Sequence, residues 1–205
     1  LLYKAADKAK DQTYFLACLN QEQLARIQFP LGGLTKQEVR AIAEENGFIN
    51  ARKHDSQDIC FVPDGDYPAF LERYTGKHYP AGDFLDESGR VVGKHRGAVC
   101  YTLGQRKGLG LAMGAPVYVC GKDMEKNTVT VGPNEALFSS ALRGNNWVWY
   151  PFPELTEPVR VTVKTRHSQT EQPGTVYPEA DGFARVEFDV PQRAVTPGQA
   201  VVVYQ

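Results

Sequence analysis

Val159-Arg160-Val161-Thr162-Val163-Lys164 alternates apolar and polar residues without a break, and Ala184-Arg185-Val186-Glu187-Phe188 repeats the pattern. Successive side chains of a strand point to opposite faces, so this alternation predicts strands with one buried and one wet face. Gly174 to Tyr177 and Ala200 to Tyr204 are predicted as strands on the same grounds, and Asp181-Gly182 and Pro197-Gly198 supply the turn chemistry. Several short strands at this spacing predict a small barrel from Trp147 onward.

Upstream of that region the texture changes twice. Asp83 to Val92 predicts two short strands around Glu87-Ser88-Gly89, and Pro116 to Gly132 a hairpin turning at Met124 to Asn127. Asp66 caps a short helix through Tyr74, with Pro68 in its first turn and Gly76 at its end. Earlier still, Thr35-Lys36-Gln37-Glu38 has the form of a capping box, followed by Val39, Ile42 and Ala43 on one face and Gly47 as the stop. This predicts a helix from Lys36 to Asn46. Gln12 to Leu19 and Gln21 to Ile27 carry apolar residues at helical spacing. The order is helical, then mixed, then all-β, which makes an α+β multi-domain chain.

Bulk properties narrow the function only a little. Hydrophobic residues make up 42% of the 205 and charged residues 23%, enough apolar mass to bury a core. No run approaches the roughly 18 apolar residues that a membrane-spanning helix needs. The N-terminal residues lack a secretion-signal pattern. With a formal net charge of −1, nucleic-acid binding has to come from local clusters. The four cysteines, Cys18, Cys60, Cys100 and Cys120, form no C-x-x-C pair and are read as reduced thiols, which predicts a cytoplasmic protein.

Cys60 joins a polar, turn-prone run (His54-Asp55-Ser56-Gln57-Asp58) to the apolar Ile59 and Phe61, a setting that can present sulfur to solvent. It is equally the setting of a small buried hydrophobe. Cys18 and Cys120 lie in apolar contexts and are expected in cores, and Cys100 is expected to be structural. Lys10-Asp11-Gln12 offers either a helix cap or a cation and amides for a phosphate and a base. Gly104-Gln105-Arg106-Lys107-Gly108-Leu109-Gly110 lacks the spacing of a nucleotide phosphate loop and predicts a tight turn with an exposed Arg106-Lys107 tip, suited to a nucleic-acid backbone. Lys164-Thr165-Arg166-His167 and Pro191 to Gln199 admit a similar reading or that of a solvated strand end. A cysteine hydrolase pairing Cys60 with His54 or His95 lacks a third, orienting group.

Four motifs, taken in order and spacing, resemble the bacterial tRNA-specific 2-thiouridylases. They are Lys10-Asp11-Gln12-Thr13-Tyr14-Phe15-Leu16, Asp55 to Phe61, Tyr101 to Gly110, and Phe188 to Gln199. The resemblance implies a nucleotide-binding domain of the PP-loop type, a small central domain and a C-terminal β-barrel similar to the second domain of elongation factors. Applied here, it gives segments 1–62, 63–136 and 137–205, the last short of its final strand. It implies ATP-dependent transfer of sulfur to C2 of a wobble uridine, with Cys60 as the persulfide carrier. Lys10, Asp11, Gln12, Arg166, His167 and Gln199 match tRNA contacts. Arg106 and Lys107 would add backbone grip. Implied partners are glutamate-, glutamine- and lysine-type tRNA and a sulfur donor, such as a cysteine desulfurase or a relay protein. The Ser-Gly-Gly-x-Asp-Ser loop that would hold ATP and Mg2+ is absent from residues 1–205. These residues alone are therefore expected neither to hydrolyse ATP nor to thiolate tRNA.

Overall fold

A computed structural model of the chain describes residues 1–53, 61–62 and 65–205. The chain folds into two compact units. The first combines residues 1–53 with Ser140–Val190 and Pro197–Gln205; the second takes the described residues from Phe61 to Ser139 together with Pro191–Thr196. The α+β, multi-domain reading of the sequence holds.

In the first unit, α1 (Thr13–Leu16), α2 (Gln21–Arg26) and α3 (Lys36–Glu45) precede the strands. The capping box read at Thr35 is formed: Thr35 Oγ1 accepts the Glu38 N–H, and the Glu38 carboxylate accepts the Thr35 N–H at 2.6 Å. An equivalent box, with Asn20 and Gln23, starts α2. The helix expected from Gln12 to Leu19 is a single turn. Tyr150, from the β region, places its hydroxyl on the carbonyls of Leu16 and Leu19, so a tertiary contact rather than further helix serves that end.

Five strands, β5 (Phe138–Gly144), β6 (Val159–Lys164), β7 (Gln172–Pro178), β8 (Ala184–Arg193) and β9 (Val202–Tyr204), form a sheet in the order β5-β8-β7-β6-β9. The pairs β6/β7, β7/β8 and β6/β9 are antiparallel. Alternation did what the sequence predicted: Val161, Val163, Val176, Ala184, Val186, Phe188 and Val202 are all buried. Two boundaries differ. β5, with its Ser-Ser-Ala centre, carries no alternation to read, and β8 continues past Phe188 through Pro191, where Asp189 ion-pairs with Arg160 of β6.

The second unit starts with α4 (Tyr67–Thr75), capped by Asp66 and ended by Gly76 in the left-handed conformation, as its sequence predicts. β1 (Gly82–Leu85), β2 (Val91–His95), β3 (Tyr118–Asp123) and β4 (Thr128–Gly132) follow in the order β2-β1-β4-β3, with β1 and β4 parallel. Their core is Phe84, Ala98, Tyr101, Leu109, Val119, Val129 and Val131. The turn between β1 and β2 rests on Asp86, which accepts the Ser88 hydroxyl and the N–H groups of Ser88 and Arg90. Those bonds, the Ser88 hydroxyl foremost, lower its carboxyl to about 2. His95 is buried edge-on to Phe84 and Tyr101, and its Nδ1 accepts the Gly97 N–H. It is a core residue and not an exposed base, which removes it from the hydrolase reading. Burial pushes its pKa down.

Gly174 sits mid-strand in β7, opposite Val161 and Phe188. A Cβ there would run into the Glu187 carbonyl oxygen and meet Val163 Cγ2 at 3.5 Å. Gly174→Ala is expected to cost about 1–3 kcal/mol, since a packed sheet cannot give way to the added methyl. Thermal unfolding against Gly33→Ala, where a Cβ meets nothing within 4 Å, checks this, and equal stability of the two would contradict it.

Candidate nucleic-acid interface

Gln12 is the N-cap of α1, and its Nε2 donates to the Lys10 carbonyl at 3.3 Å. Asp11 faces inward. Its carboxylate accepts the Ala5 N–H at 3.1 Å, the Thr13 N–H at 3.3 Å and the Thr13 hydroxyl at 2.5 Å. Both oxygens are thus committed to shaping this turn. Lys10 and Gln12 are exposed beside it.

Two side chains of α1 anchor the turn to the C-terminal strands. Tyr14 donates its hydroxyl proton to the Ala200 carbonyl at 2.8 Å, and the buried Thr13 bonds the Tyr204 hydroxyl at 3.3 Å. Lys4 pairs with Glu171 at 2.6 Å and lies 4.5 Å above the Tyr204 ring. Gln199, next to Ala200 and after Gly198 at φ +85°, is thereby held close to α1 and is itself exposed.

Arg166 and His167 reach the same place by another route. Buried Thr165 donates its N–H and its hydroxyl to Gln169 Oε1 at 2.8 and 2.9 Å, and the Gln169 N–H returns to the Arg166 carbonyl. The closed loop leaves Arg166 and His167 exposed at its tip. The His167 ring stacks on Phe15 with centroids 4.6 Å apart, and Tyr14 meets it edge-on at 6.1 Å. Such ring pairs contribute about 0.5–1.5 kcal/mol beyond area burial. Three segments read separately in the sequence, Lys10 to Gln12, Arg166-His167 and Gln199, therefore converge around Tyr14 and Phe15. The last two rings had no role assigned from sequence. The available signal was the aromatic pair following directly on a polar triplet.

The acids in this region are already satisfied. Burial raises the Asp11 carboxyl, but the Thr13 hydroxyl, the two N–H groups and the charge of Lys164 outweigh it and leave the pKa lowered. Glu171 follows the same pattern: burial raises it, and Lys4, Thr162 and Lys164 bring it below the ordinary value. What faces solvent is cationic, amide-bearing and aromatic, the combination that holds single-stranded nucleic acid by phosphate contact and base stacking.

The Arg106-Lys107 turn belongs to the second unit, where both residues are exposed, as expected. Cys60 and His54 lie outside the described residues. Cys18 is exposed, contrary to the core position expected for it, because α1 ends before it and its thiol donates to the Phe15 carbonyl at 3.2 Å. Burial raises the thiols of Cys100 and Cys120. Among the described residues no group of three or more His, Cys, Asp or Glu could hold a metal, and no helix is long and apolar enough to cross a membrane.

Three family models match in succession: the tRNA methyl transferase HUP domain over residues 1–64, the tRNA methyl transferase PRC-barrel domain over 68–133 and the aminomethyltransferase beta-barrel domain over 139–205. Together the three matches account for nearly the whole α+β chain. The tRNA-specific 2-thiouridylase MnmA of Acetivibrio thermocellus is 49% identical over 204 residues, covering 100% of this chain and 57% of its own length. That of Halothermothrix orenii is 49% identical over 205 residues with the same two shares, and that of Treponema denticola 45% over 210 residues, again 100% and 57%. The chain belongs to the tRNA-specific 2-thiouridylase family and spans a little over half the length of these relatives.

Removing the Asp11 carboxylate with Asp11→Ala is expected to destabilise the first unit by about 1–2 kcal/mol at neutral pH, because it strands the Ala5 and Thr13 N–H groups and leaves the buried Thr13 hydroxyl only its 3.3 Å bond to Tyr204. A carboxyl with a lowered folded pKa stabilises above the ordinary carboxylate value of about 4 and stops doing so as pH falls through the lower folded value. The gap between wild type and Asp11→Ala therefore closes in acid. A gap that is constant from pH 7 to pH 2 in denaturation curves would contradict this.

Proposed function

We propose that this chain supplies the tRNA-holding surface and the sulfur-carrying thiol of a tRNA 2-thiouridylase. In the complete protein, ATP converts the C2 oxygen of a wobble uridine to an adenylate, the outer sulfur of the Cys60 persulfide bonds to C2 as AMP leaves, and a second thiol attacks the Cys60 sulfur, forming a disulfide and releasing the thiolated base. The observation that carries the reading is the convergence of Lys10, Gln12, Arg166, His167 and Gln199 around the Phe15–His167 stack. The relatives named above, each a tRNA-specific 2-thiouridylase, support it at the level of the reaction.

In this reading each residue has a physical task. Lys10 and Arg166 bind backbone phosphates, and Arg166 can do so with two parallel N–H donors. Gln12 and Gln199 offer amides to base edges, and the Phe15–His167 face receives a base drawn out of the anticodon stack. Asp11 acts indirectly by fixing the turn on which Lys10 and Gln12 stand. Arg106 and Lys107 grip the RNA backbone from the second unit. Cys60 carries the transferable sulfur as a persulfide charged by a cysteine desulfurase or a relay protein. The ATP that activates the uridine oxygen, with its Mg2+, is assigned outside these residues. The segments 1–62, 63–136 and 137–205 serve as catalytic-domain helices, central domain and barrel, and the site of action is the cytoplasm.

Two measurements on the full-length protein test this. Cys60→Ser should abolish 2-thiouridine in tRNA nucleosides analysed by mass spectrometry from rescued deletion cells, while tRNA affinity stays within about twofold. Thiolation retained by that variant would remove Cys60 from the reaction. Nucleosides unchanged by the deletion itself would leave an RNA-binding module without this chemistry. Arg166→Ala should weaken tRNA binding about tenfold and lower the slope of log affinity against log salt by about one. An unchanged slope would take Arg166 off the phosphates.

A further inference from the structure

The motif Pro191 to Gln199 is only partly explained by Gln199. Its first half, Pro191–Thr196, belongs to the second unit, and there Arg193 meets the basic turn. That turn is docked onto β3 at its base. The Gly104 N–H donates to the Val119 carbonyl at 2.8 Å, and the Val119 N–H donates to the Gln105 carbonyl at 2.9 Å. Gln105 braces it from within: Oε1 accepts the Thr102 N–H at 3.0 Å, and Nε2 donates to the Lys107 carbonyl at 3.0 Å. Gly104, Gly108 and Gly110 take φ of +82°, +75° and +68°, which glycine alone adopts freely.

Arg193 closes this arrangement from outside. Its Nε donates to Asn134 Oδ1 at 3.0 Å, its Nη2 reaches the Gly104 carbonyl at 3.4 Å, and the guanidinium lies 5.2 Å over the Tyr118 ring. Its own backbone is held on both sides. Gln192 and Ala194 are buried, and the Ala194 N–H donates to the Leu137 carbonyl at 2.8 Å. The packing at the turn is close, since a Cβ on Gly104 would meet Arg193 Nη1 at 3.2 Å and Ala194 Cβ at 3.1 Å. The guanidinium is thus half-buried against the base of the turn, while Arg106 and Lys107 stand exposed two and three residues further on.

We infer that Arg193 is a positioning residue for RNA binding: it fixes the base of the 104–110 turn so that Arg106 and Lys107 are presented in one geometry, without itself contacting RNA. This rests on the proposed role of Arg106 and Lys107 as backbone grips. A pre-set pair of cations binds more tightly than a wandering one because less conformational freedom is lost on contact. Lysine cannot replace arginine here. One ammonium keeps the charge but lacks the planar fork that serves Asn134, Gly104 and the Tyr118 face together.

The test uses the full-length protein in four forms: wild type, Arg193→Lys, the double Arg106→Ala/Lys107→Ala, and the triple combination. Arg193→Lys should weaken tRNA binding about threefold to tenfold, and the triple variant should bind no worse than the double, the coupling expected of residues acting through one another. Amide exchange over residues 104–110 should speed up in Arg193→Lys, with the melting temperature of the protein little changed. Unchanged exchange, or an Arg193→Lys effect that persists in full without Arg106 and Lys107, would overturn the inference. If the double variant binds tRNA normally, the backbone-grip reading falls instead, and the exchange measurement still decides whether Arg193 orders the turn. Should Arg193→Lys lower the melting temperature, Asn134→Ala removes the Nε acceptor alone and is read by the same exchange and binding criteria.

Discussion

Tyr14 donates to the carbonyl of Ala200, 186 residues away in sequence, and the candidate surface hangs on that bond and its neighbours. Thr13 to Tyr204, Lys4 to Glu171 and Tyr150 to the end of α1 repeat the same tie between the N-terminal helices and the C-terminal strands. Each is worth only about 1 kcal/mol on its own. Their effect is geometric. They hold α1 against the loop after β6 and the start of the last strand, and so bring three otherwise distant polar motifs into one patch. Without them Lys10 and Gln12 would only precede and cap an isolated short helix, and a helix that short does not persist alone.

The distribution of charge follows from the same constraint. The carboxylates of the region are spent internally, Asp11 on its own turn and Glu171 on Lys4 and Thr162, so they do not face an incoming polyanion. In a chain whose net charge is −1, a surface for nucleic acid requires this local segregation more than an excess of base. The second unit solves a similar problem with backbone geometry. Glycines at positive φ and the Gln105 brace produce a turn whose cationic tip projects while its base is bonded to β3.

Local chemistry was legible in the sequence, and long-range chemistry was not. The Thr35–Glu38 box, the Asp66 cap with Gly76, and β6 between Val159 and Lys164 were all read correctly, because each depends on residues a few positions apart. α1 is shorter than its apolar spacing predicts, the Leu16 carbonyl being shared between the Leu19 N–H and the Tyr150 hydroxyl, and the core position expected for Cys18 failed with it. β8 runs further than its alternation, since it lies between β5 and β7 in the sheet and its pairing with them is not encoded in its own pattern. At the candidate surface, Arg166, His167 and Gln199 were picked out as motif members. Phe15 as a stacking partner and Thr165 with Gln169 as the loop clamp depend on packing that no local pattern encodes.

In the proposed function Lys10 to Phe15, Arg166-His167 and Gln199 act as one RNA-binding surface. Hydrogen–deuterium exchange of the full-length protein with and without tRNA tests it most directly. Peptides covering residues 10–16, 165–169 and 197–200 are expected to be protected together, and Arg166→Ala to reduce protection in all three. Protection confined to one of them, or loss confined to the peptide carrying the substitution, would contradict a single shared surface.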